Sequence, residues 1–410
     1  MLAFRSRRAA RVFVAAAVAA ILIATLFPAG SELAPGWTTA IVGGDDALAG
    51  VLQNVLLFVP LGVGLALAGK RGWRLVVVGT LLSLAVECAQ QWIPGRDPSV
   101  GDVCFNTLGT ALGGLLGRTA PLWLFPTPPR RAAWQSLAAA LVAAGVWLAT
   151  GWAFQPQYLA AAYVVNARPD LPNRGQYPGQ VLAVTAGSLG VALPLRVVAV
   201  AGRTPTRLSP LVALTDESGR EAILLSVDRS DLSLWIRTRG TAWRLDRPDL
   251  RARAALAAVA PGDTFTVAAW REVAGFCLAL NRPPPTPARR WCDRAYTLAD
   301  GWKLIFDLGH APPWLLELLG AGWLGGLLVP MGFWLRRHWC SAAALVVVCG
   351  SLLAAPALTG GGVAPTPLPA LLGALGGMGL GLLLQLLPPR DAAFDVFLKP
   401  ELRRLVPPRA

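Results

Sequence analysis

The sequence predicts an α-helical polytopic membrane protein of about eight transmembrane helices, with an all-β sandwich inserted on the extracytoplasmic side. Three observations lead there. Of the 410 residues 54% are apolar and only 15% are charged, a balance that suits bilayer-embedded helices. The apolar residues gather into runs long enough to cross a hydrocarbon core of about 30 Å. One long interior stretch, 155–312, lacks such a run and carries short alternating segments instead. The expected division is 1–154 for five helices, 155–312 for the β-domain, 313–388 for three more helices and 389–410 for a cytoplasmic tail.

Taken in order, Met1 to Arg11 holds four arginines, and the apolar run Val12 to Pro28 follows. Basic flanks stay in the cytoplasm, so an uncleaved first span runs outward. A cleaved signal peptide, with Phe27-Pro28-Ala29-Gly30-Ser31 as its cleavage region, is the alternative. The loop to Gly50 carries Glu32, Asp45 and Asp46 and no basic residue, which suits the outside. Val51 to Gly69 returns to the basic loop Lys70-Arg71-Gly72-Trp73-Arg74. Leu75 to Trp92 goes out, Val103 to Leu116 comes back to Arg118, Arg130 and Arg131, and Ala132 to Phe154 goes out again. After the polar stretch, Trp314 to Leu335 ends at Arg336, Arg337 and His338. Trp339 to Leu358 and Leu368 to Leu387 complete the spans. Each short basic loop falls on one side, placing both termini in the cytoplasm and the β-domain outside. Trp92, Trp152, Trp314 and Trp339 read as interface anchors, and Glu317 as an interfacial residue.

The formal net charge is +14, nearly all from arginine. Beside so many apolar runs this excess reads as membrane topology rather than nucleic-acid binding. Neither zinc-type cysteine spacing nor a Gly-rich phosphate loop is present, and no cofactor or metal is expected. A G-x-S-x-G elbow and an H-E-x-x-H pair are also missing, and the chain has two histidines, His310 and His338. Four cysteines lie in or beside spans. Cys277 and Cys292 lie in the polar stretch and form a disulfide candidate if it faces an oxidising compartment.

The polar residues within the spans carry the chemistry. On a helix, positions three and four apart share a face, so Ser83, Glu87, Gln90 and Gln91 form one stripe. Asp102 and Asn106 form another, continued by Gly109, Gly113 and Gly117, a spacing that lets a second backbone approach. The loop 94–101 is too short to separate these helices, so Glu87, Gln91, Arg96 and Asp102 should cluster near one membrane surface. Buried ionisable groups cost about 2.5–3.5 kcal/mol on insertion scales and normally face a partner or a cavity. Glu87 is therefore either a ligand-contacting carboxylate or a packing residue bonded to Gln91 or Arg96. Asp102 should cap the following helix, and Asn106 and Asn54 should bond across helices. Arg96 suits an anionic headgroup, or else a salt bridge to Glu87 or Asp97. Pro60 should kink its span.

Asn54 with Phe58-Val59-Pro60-Leu61-Gly62, Glu87 with Gln90, Arg96, and Asp102 with Asn106 and Gly109 together resemble the VanZ-like membrane protein family. The resemblance covers about a quarter to a third of the chain. It implies a bacterial cell-envelope protein of the cytoplasmic membrane, associated with resistance to teicoplanin-type glycopeptides. Asn54, Glu87, Gln90, Arg96, Asp102 and Asn106, the polar residues of this pattern, are the candidate ligand-binding set. The partners the resemblance implies are membrane lipids and a glycan or glycopeptide, with no nucleic acid. The leading reading is non-enzymatic. An intramembrane enzyme using Glu87 and Asp102 as acid and base, or a structural scaffold, are the alternatives.

In the polar stretch, strands are expected at Gln180–Thr185, Leu195–Val200, Leu211–Thr215, Ala222–Val227, Leu232–Thr238, Thr264–Trp270 and Phe276–Leu280. Turn residues at 216–219, 228–231 and 261–263 separate them. This layout resembles the laminin-G or concanavalin-like jelly rolls, which implies carbohydrate binding.

Overall fold

The computed structural model describes residues 2–28, 36–43, 47–124, 126, 128–157, 163–171, 174–187, 194–216, 219–246, 249–272, 275–281, 289–294, 296–306, 308, 311–360 and 363–386. Glu32, Asp45, Asp46, the turn centre Glu217-Ser218, His310 and the tail from Pro388 on lie outside the described residues. The chain divides into two compact units. One gathers residues up to 136 with 332–341 and the chain from 380; the other gathers 137–331 and 342–379.

The first unit is built on α1 (Leu2–Leu26), α2 (Ala47–Leu67), α3 (Trp73–Gln90) and α4 (Val100–Leu124). Their directions alternate. Gly64 of α2 lies against Phe13 and Val14 of α1. Thr80 and Thr107 share a hydrogen bond of 3.0 Å, and Gly79 packs on Thr110, so α3 and α4 are antiparallel. Gly109, Gly113 and Gly117 meet Val55, Val59 and Val63 in the same order, so α2 and α4 run parallel. A Cβ on Gly113 would sit 2.0 Å from the Val59 carbonyl oxygen, which no side chain can tolerate. The expected glycine series thus seats α4 directly on the α2 backbone. Pro60 sits within α2, and the helix runs through it unbroken. Ile21, Phe58, Leu61, Leu65, Leu75 and Val86 fill the centre.

Seven of the described helices are long and apolar enough to cross a membrane: α1, α2, α3 and the helices at Pro129–Ala153, Pro313–Trp334, Trp339–Leu358 and Leu368–Leu386. α4, the remaining span of the expected eight, is a 25-residue helix but falls outside this set. Its glycines and polar residues, Asp102, Asn106, Thr107 and Thr110 among them, lower its apolarity. They face α2 and α3 rather than hydrocarbon.

Then follow α5 (Pro129–Ala153), β1 (Val164–Ala167), β2 (Gln180–Ala186), β3 (Leu195–Val200), β4 (Ser209–Thr215), β5 (Glu221–Asp228), β6 (Asp231–Ile236), the short α6 (Arg239–Ala242), β7 (Asp249–Ala252), β8 (Thr264–Glu272), β9 (Gly275–Asn281) and β10 (Arg289–Arg294). A 3-10 turn, Leu298–Leu304, leads to α7 (Pro313–Trp334), α8 (Trp339–Leu358) and α9 (Leu368–Leu386). The strands form two antiparallel five-stranded sheets, ordered β1-β4-β5-β6-β7 and β10-β9-β8-β3-β2. Inward residues of both, such as Val197, Leu211, Leu225, Leu234, Phe265, Val267 and Leu278, make one core. All seven expected strands are present, β3 with the bounds expected and the other six with shifted ends. β1, β7 and β10 were not expected. The first two have only four residues, and β10 reads Arg-Arg-Trp-Cys-Asp-Arg, too charged to announce a strand.

After the last strand, Gly301 of the 3-10 turn packs on Trp323 and Thr150, and Gly320 of α7 packs on Ala299. Gly373 and Gly377 draw α9 against Ala321 and Gly325 of α7, whereas Gly376 and Gly379 meet nothing within 4 Å. Glu317 is exposed in the second turn of α7.

Candidate functional site

The alternation of the four helices gathers the C-terminal ends of α1 and α3 and the N-terminal ends of α2 and α4 at one end of the bundle. Each of the six expected residues lies at this end or one turn below it. Asn54 Nδ2 donates to Asp102 Oδ1 at 2.7 Å. The Glu87 Oε2 atom accepts the Ser99 backbone N–H at 3.0 Å. Gln90 Nε2 donates to the Thr25 carbonyl at 3.1 Å. Asn106 Nδ2 donates to Ser83 Oγ at 2.9 Å. Glu87 is 2% exposed and Asn106 1%, so both polar groups have left solvent. Asn106 Oδ1 is buried without a hydrogen-bond partner. A lone buried acceptor of this kind is costly unless something donates to it.

Three details differ from expectation. Asp102 does not cap α4. Ser99 does, its Oγ accepting the Gly101 N–H at 3.1 Å. The sequence carried the signal, because Ser99-Val100-Gly101-Asp102 has capping-box spacing. Here the box is opened: the Ser99 N–H goes to Glu87 and the Asp102 carboxylate goes to Asn54. Second, Glu87 is bonded neither to Gln91 nor to Arg96. Third, Arg96 Nε and Nη2 donate to the carbonyls of Phe27 at 3.0 Å and Ala24 at 2.7 Å. Those carbonyls end α1 and have no partner within the helix, so Arg96 acts as its C-terminal cap. Burial lowers the Arg96 pKa from the ordinary guanidinium value, while the nearby Glu87 charge opposes that. Gly95, at φ 76°, supplies the left-handed turn that brings Arg96 back over α1.

Thr38 is a further part of this end that sequence reading missed. It pairs with Ser99 as an isolated bridge, donating to the Pro98 carbonyl at 2.8 Å and accepting from the Val100 N–H at 3.0 Å. Nothing in its surroundings in the sequence announces a strand-like contact sixty residues away. The arrangement brings the Glu87 carboxylate, bonded to the Ser99 N–H, and the Asp102 carboxylate of the first turn to the N-terminus of α4, where the helix dipole favours negative charge. A buried amide acceptor lies one turn deeper.

A family model described as VanZ/LLP1 matches residues 12–121, the stretch that builds this end of the bundle. Residues 12–121 form a VanZ-like domain. No curated protein and no solved structure matches the chain at a significant level. The VanZ-like domain therefore ends within α4, and the sandwich lies outside the matched residues.

In the other unit, Cys277 and Cys292 are joined as a disulfide between directly paired positions of β9 and β10. Arg251, mostly buried, bonds Asp228 at 2.7 Å and Asp249 at 3.1 Å. Burial alone would lower the Arg251 pKa, but the aspartates raise it overall.

Proposed function

We propose that the chain is an integral protein of the bacterial cell envelope. In this reading the VanZ-like domain holds or moves a polar envelope ligand at the end marked by Glu87 and Asp102. The protein sits in the cytoplasmic membrane with both termini in the cytoplasm and the sandwich outside. It contributes to tolerance of teicoplanin-type glycopeptides or to the handling of an envelope glycan or lipid. The sandwich is read as a laminin-G or concanavalin-like domain that binds a glycan or positions a partner, a reading supported by its paired antiparallel sheets.

The observation that carries the proposal is the unpartnered, buried Asn106 Oδ1 beneath two carboxylates drawn from different helices. A purely packed interface has no use for an acceptor left open there. The experiment replaces Glu87, Asp102 and Asn106 singly with Ala in cells and measures teicoplanin sensitivity alongside the amount of protein in the membrane. Sensitivity is expected to change at least fourfold with protein level held. Unaltered sensitivity in all three, at normal abundance, ends the reading.

A scaffold role has its own support: each of the six side chains already has a hydrogen bond within the bundle. Under it the same substitutions lower the amount of folded protein and sensitivity follows abundance. An intramembrane enzyme acting on a lipid-linked sugar, with Glu87 and Asp102 as acid and base, would instead turn over such a lipid when purified. Absence of turnover removes it.

A further inference from the structure

The disulfide in the sandwich sits in surroundings that a merely structural crosslink does not require. Cys277 and Cys292 face each other across β9 and β10, which are already paired at six positions from Arg289–Leu280 to Arg294–Gly275. The strands are held together by their backbone ladder with or without the sulfurs. Cys277 follows Phe276 and precedes Leu278, both packed on the core side, so strand alternation puts the disulfide on the outer face of the sheet. On that face Trp270 of β8 is the register partner of Cys277. The two sulfurs differ in access: Cys277 is fully buried, while Cys292 is exposed.

One cation attends both sulfurs. Arg290, two residues before Cys292 on the same side of β10, places Nε 3.0 Å from Cys292 Sγ and Nη2 3.7 Å from Cys277 Sγ. The guanidinium is held there by Glu272, with which it forms an ion pair, and by the Trp270 ring, 5.1 Å from its centre. Glu272 is itself fixed by the Trp270 indole N–H at 3.0 Å. A Glu272 oxygen also lies within 4.8 Å of both sulfurs, and its charge offsets part of that of Arg290.

We propose that Cys277–Cys292 is an exchange-competent disulfide whose partner is a protein dithiol, and that Arg290 is the catalytic residue of the exchange. A partner thiolate attacks the exposed Cys292 Sγ. The Sγ–Sγ bond breaks, a mixed disulfide forms between Cys292 and the partner, and the bonding pair leaves on Cys277 as a thiolate. Arg290 stabilises that thiolate, and a leaving thiol of lower pKa departs faster. The partner's second thiolate then attacks its own sulfur in the mixed disulfide and releases Cys292. Two electrons have moved to this chain, the partner is oxidised to a disulfide, and the two thiol protons pass to Cys277, Cys292 or water. Run backwards, the same steps oxidise this chain.

The test uses the full chain in detergent, with dithiothreitol as the dithiol probe. Differential alkylation and mass spectrometry of the Cys277 and Cys292 peptides follow reduction, keeping the other four cysteines separate. The wild-type disulfide is expected to open while the sandwich stays folded. Arg290→Gln should slow opening about tenfold, and Arg290→Lys, which keeps the charge, should stay within about threefold of wild type. Three outcomes overturn the proposal. One is an Arg290→Gln rate equal to wild type, and another an Arg290→Lys rate as slow as Arg290→Gln. The third is a wild-type disulfide that opens only as fast as the sandwich unfolds by circular dichroism. Arg290 is half exposed and outside the core, so both variants retain the fold needed to read the rates.

Discussion

The helical bundle and the β-sandwich solve burial in opposite senses. The sandwich keeps Leu211, Leu225, Val267 and their neighbours inside one apolar core. Its main ion-paired network, Arg251 with Asp228, Asp231 and Asp249, stands outside that core. The bundle exposes Leu56, Leu81, Leu84, Leu108, Leu112 and Leu115 on its surface. Its interior holds only a small apolar cluster around Phe58 and Leu61, and the helix contacts beside it use glycines and hydrogen-bonded Ser83, Thr80, Thr107 and Asn106. The difference follows from the solvent. In water, apolar burial contributes about 25 cal/mol per Å². Between helices in lipid that term is missing, and close backbone approach and side-chain hydrogen bonds take its place.

Substitutions can break or sharpen this contrast. The largest effect is expected from Gly113→Leu, which sets a branched side chain into the α2 backbone. It should prevent the bundle from assembling, seen as loss of a monodisperse peak in detergent chromatography. In the sandwich, Arg251→Ala removes the cation shared by Asp228, Asp231 and Asp249 and should cost about 3–5 kcal/mol, and Leu225→Ala about 2–5 kcal/mol, both read from denaturant midpoints. Ser83→Ala removes one interhelical hydrogen bond and should cost only about 0.6 kcal/mol, within a range reaching about 2. Leu81→Ala on the bundle surface should be nearly silent in thermal melts, because lipid or detergent replaces the lost contact. A Leu81→Ala cost approaching that of Leu225→Ala would collapse the distinction between the two regions.

Much of the fold was legible because period and composition state it. The apolar runs marked the helices, Gly109 and Gly113 announced a close contact, and seven strands showed as alternating segments between turns. The strands that stayed hidden are short or charged, and only pairing partners elsewhere in the chain make them strands. β10 is an example: Arg289, Arg290 and Arg294 oppose every local strand signal. At the candidate site's end of the bundle, the sequence indicated that the six side chains lie close together, but not which bonds they make. Arg96 reads as a free cation until the loop carries it back to the end of α1. Asp102 reads as a cap until Ser99 takes that place. Both outcomes depend on a third helix or a loop, which no local window contains.

The Ser99 amide shows what such a trade brings with it. In an ordinary capping box it would stay within its own helix; here it is tethered to Glu87 on α3. The same residue also bridges to Thr38 in the preceding loop. Glu87 is thus a clasp for three separate segments, and Glu87→Ala should speed deuterium uptake at Ser99 and across the Thr38 contact together. A change of one carboxylate would be felt as slack in a loop that is nearly fifty positions away along the polypeptide.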